Sequence, residues 1–148
     1  LIALYRILYS DQSRGLGDVY KRQMFNTPPV FSVYACMLSL KWLEKKGGID
    51  AVESLNRKKS EILYNEIDND DVFNGFANVD DRSIMNVTFN LNDEKNKVVF
   101  DKMLIENNIS GLNGHRSVGG YRASIYNAMD IASVEILIDT IKKFKNYI

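Results

Sequence analysis

The 148-residue sequence has one cysteine, Cys36, and one histidine, His115. A single thiol excludes an internal disulfide framework, and one Cys with one His is too few for a Cys/His zinc site. Net charge is missing as well, because 19 Lys plus Arg meet 19 Asp plus Glu. That balance gives no bulk attraction to nucleic acid, although a local basic site remains open. No apolar run approaches the roughly 20 residues that a helical bilayer span needs, so neither a membrane nor a nucleic acid is an expected partner. There is no internal repeat, no low-complexity tract, no Ser/His/Asp order and no phosphate-cradling glycine loop. What is there is a chain long enough for one domain with a core of its own.

Residues 1–23 stand apart. Leu1–Tyr9 is short, apolar and interrupted by Arg6, without the charge order or cleavage site of a signal peptide. Ser13–Gln23 resembles the translation of a transposase-type sequencing-library adapter, which makes 1–23 an expected non-native segment and places the native start near Met24. Setting aside four of the 19 basic and two of the 19 acidic residues leaves 15 against 17, so the remainder is mildly acidic.

Asn26-Thr27-Pro28-Pro29 reads as a helix start, with a capping side chain followed by proline where a missing N–H is harmless. Val30, Val33, Met37 and Leu40 then recur at helical spacing, and Tyr34, Trp42 and Leu43 widen the face, which predicts a largely buried helix. Cys36 is expected to be a small buried hydrophobe in it, and Trp42 a packing residue. After Gly47-Gly48, a second helix from Asp50 turns Val52, Leu55, Ile62, Leu63 and Ile67 inward and Arg57, Lys58, Lys59 and Glu61 to water. Asp68–Asp81 reads as a loop, with a Val72–Phe76 apolar patch, and its acid pairs as solvated surface rather than a metal site. Met85, Val87, Phe89 and Leu91 alternate as in a half-buried strand. Asn92-Asp93-Glu94 opens a third helix with Val99, Phe100, Met103 and Leu104 inside. Ile109–Leu112 and Tyr121–Tyr126 are further strand candidates, and Asp130 caps a last helix lined by Val134, Leu137, Ile138, Ile141 and Phe144. The fold class expected is α/β, a small sheet packed with helices in two layers.

Chemistry concentrates in Gly114-His115-Arg116-Ser117-Val118-Gly119-Gly120-Tyr121-Arg122. Gly119-Gly120 permits a tight turn, which would bring Arg116 and Arg122 toward one space. The residues allow two readings: a hairpin with solvated basic side chains, or a pocket for a ligand with two anionic groups, which Arg forks match bidentately. Asn26-Thr27 likewise reads either as a plain helix cap or as an anion contact, although Pro28 and Pro29 remove two donors.

Asn26-Thr27-Pro28-Pro29, Lys41-Trp42-Leu43 with Gly47-Gly48, Arg82-Ser83-Ile84-Met85-Asn86-Val87, and above all Gly114-His115-Arg116 through Gly119-Gly120 to Arg122-Ala123-Ser124-Ile125-Tyr126-Asn127-Ala128 resemble the phosphoserine aminotransferase family. The resemblance covers 24–148 in order. It implies the C-terminal part, a leading helix plus the small domain, of a cytoplasmic, homodimeric, fold-type I enzyme dependent on pyridoxal 5′-phosphate. Such enzymes exchange an amino group between glutamate and 3-phosphohydroxypyruvate in serine biosynthesis, and some bacterial members serve pyridoxine synthesis. By motif, His115 and Arg116 would hold the substrate phosphate and Arg122 its α-carboxylate. Asn26 and Thr27 would contact the cofactor phosphate of the neighbouring subunit.

The same resemblance implies that the cofactor-binding lysine, the acidic partner of the pyridine nitrogen and the aromatic ring over the cofactor belong to a large domain outside this sequence. Lys41, Lys45 and Lys46 lie in the wrong segment to replace that lysine. The expectation is therefore a chain with no catalytic residue of its own, inactive alone. The alternative is a stand-alone anion-binding or interaction module that binds a phosphorylated acid without chemistry.

Overall fold

A helix does follow Pro28 and Pro29, starting at Val30: the Val33 N–H makes its first α-helical bond, to Pro29 O at 3.1 Å. A computed structural model describes residues 27–69 and 71–148, which fall into two units, the first ending at Trp42 and the second spanning Leu43–Ile148. Helix α1 (Val30–Lys45) has no buried residue. Phe31 is 84% exposed and Leu40 60%, and Cys36 is exposed. The expectations of a buried helix and a buried thiol are thus corrected. Periodicity marks an apolar face but cannot supply the surface that covers it.

The second unit carries the core. Gly47 ends α1 at φ 97°, a left-handed conformation that glycine adopts without strain. Helix α2 follows (Gly48–Asp68), with Val52, Leu63, Tyr64 and Ile67 buried. Arg57, Lys58 and Glu61 face water as the pattern predicts, but Lys59 is fully buried. It sits seven residues after Val52 and four before Leu63, on the apolar stripe itself.

The segment read as a loop contains strand β1 (Phe73–Gly75), which pairs antiparallel with β2 (Asn86–Leu91) in the register Phe73↔Leu91. β2 pairs antiparallel with β3 (Tyr121–Ser124), Val87 facing Ala123 and Thr88 facing Arg122. The sheet order is β1-β2-β3. Between β2 and β3, a 3-10 turn at Glu94–Asn96 leads into α3 (Lys97–Glu106). The expected strand at Ile109–Leu112 is absent. Only Arg122 N–H to Leu112 O and an Asn113–Tyr121 bridge tie that segment to β3, because the chain turns at Asn108 and Gly111, both at positive φ.

Helix α4 (Ile131–Tyr147) starts at Asp130 and buries all five predicted residues. One face of the sheet, with Phe73, Val87, Phe89, Tyr121 and Ala123, packs on α2, α3 and α4 around Phe100 and Phe144, whose rings lie 4.9 Å apart. The α/β expectation of a small sheet under helices holds. The opposite face is polar, carrying Asn86, Thr88, Asn90, Arg122 and Ser124.

Candidate anion-binding site

The basic segment forms a closed loop at the end of β3. Gly114 N–H donates to Gly120 O at 2.9 Å, and the N–H groups of Val118 and Gly119 donate to His115 O at 3.0 and 2.8 Å. Closure this tight needs glycine at two places. A Cβ at Gly114 would overlap the carbonyl of Gly119, and one at Gly120 (φ 65°) would overlap the Asn90 side chain.

His115 and Arg122 line one recess of about 230 Å³, together with Thr88, Asn90, Val118 and Gly119. Behind it, on the core side of the sheet, the rings of Phe89 and Tyr121 stack with centroids 5.4 Å apart. Arg116 is exposed and does not line this recess, which His115 and Arg122 share. His115 Nδ1 is 2.7 Å from Ser117 Oγ and accepts the Ser117 N–H at 3.3 Å, so Nδ1 is the ring nitrogen engaged within the loop. Arg122 also borders a larger groove of about 500 Å³ between the Asn107–Leu112 loop and the start of α4. Thr27 is exposed before α1, and Asn26 lies outside the described residues.

Two buried titratable groups brace the site. The Tyr121 hydroxyl donates to Asp101 Oδ1 at 2.8 Å and accepts from Lys97 Nζ at 3.1 Å. Burial first, then the hydrogen bond to Asp101, pushes its phenol far above the usual tyrosine range. Lys59 Nζ donates to the carbonyls of Ile125, Tyr126 and Met129 at 3.0, 2.8 and 3.0 Å. Burial lowers the pKa of this ammonium, and Asp130 partly opposes the shift. Sequence reading missed Lys59, although three polar side chains (Asn56, Lys59, Ser60) on an apolar stripe were a legible signal of buried polar contacts. Among the described residues no cluster of His, Cys, Asp or Glu could hold a metal ion, and no helix is long and apolar enough to cross a membrane.

Chemically, the recess offers an imidazole and a guanidinium on a rigid loop and strand, an arrangement suited to anionic oxygens. Residues 12–137 match the family model "Aminotransferase class-V". The chain is 53% identical over 125 residues to a phosphoserine aminotransferase of Flavobacterium psychrophilum, covering 84% of this chain and 35% of that protein. It is 56% identical over 123 residues to that of Flavobacterium johnsoniae, covering 83% and 35%. The phosphoserine aminotransferase structure from Bacillus circulans subsp. alkalophilus superposes with a TM-score of 0.77 at 41% identity over 88% of this chain and 36% of that one. The pyridoxal-phosphate-bound enzyme from Trichomonas vaginalis gives 0.71 at 34% identity, over 84% and 36%. The chain spans about a third of the length of these relatives. By its family match, its sequence relatives and its fold, this chain belongs to the class-V aminotransferases.

Proposed function

We propose that residues 24–148 are the C-terminal part of a phosphoserine transaminase, which moves an amino group from glutamate to 3-phosphohydroxypyruvate. The carrying observation is the recess that His115 and Arg122 share on a glycine-closed loop. Arg122 grips the substrate α-carboxylate, and His115 with Arg116 grips the phosphate. With Nδ1 accepting the Ser117 N–H, a proton on His115 Nε2 donates to a phosphate oxygen, while Gly114 and Gly120 keep the loop closed.

Pyridoxal 5′-phosphate would meet this chain through its phosphate. Exposed Thr27, with Asn26, holds the phosphate of the cofactor seated in the partner subunit of a cytoplasmic homodimer. Lys59 is fully buried with three donors committed to carbonyls, so it offers no free amine for attachment. Bound, the cofactor supplies the electron sink that lets an amino group change carbon. Lacking the attachment lysine, the isolated chain is inactive.

Titration calorimetry of the chain with phosphoserine tests the site. Loss of a charge-assisted contact in Arg122→Ala should weaken binding by about 10- to 100-fold. Binding that is indifferent to Arg122→Ala overturns the assigned roles; tight binding to the isolated chain favours the stand-alone module, whereas binding only after fusion to an upstream domain favours the enzyme fragment. Supplied with pyridoxal phosphate, glutamate and phosphohydroxypyruvate, the chain should release no 2-oxoglutarate, and turnover would overturn its inactivity.

A further inference from the structure

We infer that Lys59 is a positioning residue for the Arg122 site. From beneath the exit of β3, its ammonium holds the Ile125–Met129 turn and so fixes the strand that presents Arg122, Ser124 and Tyr126. The ligand of Arg122 rests on the reading above; the clamp does not.

Lys59 has no exposed surface, and its three ammonium protons meet three carbonyl oxygens, those of Ile125, Tyr126 and Met129. A lysine that merely filled space would send its charge along the surface to water. Taking the charge inside is costly unless every proton is bonded, as it is here. The three acceptors belong to one short stretch, where the chain leaves β3 and turns toward α4. The turn is closed by Met129 N–H to Tyr126 O at 2.9 Å. A second grip from the same helix, Asn56 Nδ2 to Asn127 Oδ1 at 2.7 Å, holds the same turn.

The strand end is held from the sheet side as well. Ile125 N–H donates to Met85 O at 3.0 Å. The hydroxyls of Ser124 and Tyr126 both donate to Asn86 Oδ1, at 3.1 and 3.2 Å. Arg122 lies two residues before Ser124 on that same polar face. The ammonium therefore fixes the distal anchor of the strand from which Arg122 reaches the recess. The His115–Arg116 loop, closed by its own glycine contacts, needs no such anchor.

The test uses the 15N-labelled 148-residue chain with Lys59→Met and, as a milder variant at an exposed position, Asn127→Ala. Amide exchange of Met129 should accelerate about 10-fold or more in Lys59→Met, while Val87, Phe89 and Phe100 stay protected. The Ser124 and Tyr126 amide resonances should shift. Phosphoserine should bind about 10-fold more weakly, while inorganic phosphate, taken by the loop, should bind within about twofold of wild type. A merely structural lysine would not split the two ligands.

Asn127→Ala should loosen Met129 in the same sense and by less, and it carries the decision if Lys59→Met does not fold. Unchanged Met129 exchange, or loosening spread evenly through the core, overturns the inference. If the wild-type chain binds no phosphoserine, the exchange pattern alone decides the clamp.

Discussion

Lys59 Nζ lies 2.8 Å from the carbonyl oxygen of Tyr126, so a charged side chain of α2 ends inside the unit, under the strand that carries Arg122. Burial depresses its pKa, so between its folded value and the usual lysine range the unfolded chain binds more protons than the native one. Stability contributed by this group therefore rises with pH through that window. Lys59→Met should abolish this rise. It should also lower stability at neutral pH by about 2 kcal/mol, because carbonyls left unbonded outweigh the relieved desolvation of the cation. Denaturant unfolding at pH 7 and at pH 10 measures both.

Tyr121 should behave in the opposite sense. Its phenol is pushed up in the folded state by burial and by Asp101, so its contribution is complete below the ordinary tyrosine pKa and is lost as pH climbs beyond it. Tyr121→Phe should cost about 1 kcal/mol at pH 7 through the lost hydrogen bonds. It should also flatten the fall in melting temperature above pH 10 or so, the usual onset of tyrosine ionisation. An equal alkaline fall in both proteins would refute the assignment.

Gly120→Ala should be among the costliest single-methyl changes in the loop. The residue sits at φ 65°, and a Cβ would also meet Asn90 and the Phe89 carbonyl. Positive φ and the overlap together predict a loss of about 2 kcal/mol. Phosphate binding should weaken with it, since the Gly114 N–H to Gly120 O closure must open. Gly111→Ala, also at positive φ but in open space, should cost less. Thermal melts of the two variants give the comparison.

Cys36 should react in the native chain. It is exposed on α1, so a thiol reagent added without denaturant should modify one equivalent at close to the rate seen in urea. Protection of more than about tenfold would show that another surface covers this helix.

Much of the second unit was legible in the sequence, for reasons visible in single residues. Alternation of Val87, Phe89 and Leu91 with Asn86, Thr88 and Asn90 gives a strand with one polar face, and the structure has it. The stripe Val134 to Phe144 gives α4. Gly119-Gly120 foretold the turn that returns the chain to β3, because few other residues adopt positive φ without strain. The block from Gly114 to Ala128 carried the family resemblance, and the family match bears it out.

Tertiary contacts decided what local pattern does not encode. Phe73–Gly75 is too short to show a period, and it becomes a strand only because β2 offers a partner edge. Lys59 looked like a solvated cation because composition favours that. Only the fold brings three carbonyls, 66 to 70 residues away in sequence, to its ammonium. Arg116 and Arg122 share a motif, yet His115 and Arg122 line one recess that Arg116 does not. The apolar face of α1 is written in its sequence, whereas its exposure is not, since burial depends on a second surface. The sequence by itself determined the helices, β2 with its polar face, β3 and the candidate site residues, because these follow from local period and side-chain chemistry. The tertiary structure alone decided which of those residues meet, because meeting depends on contacts between segments far apart in the chain.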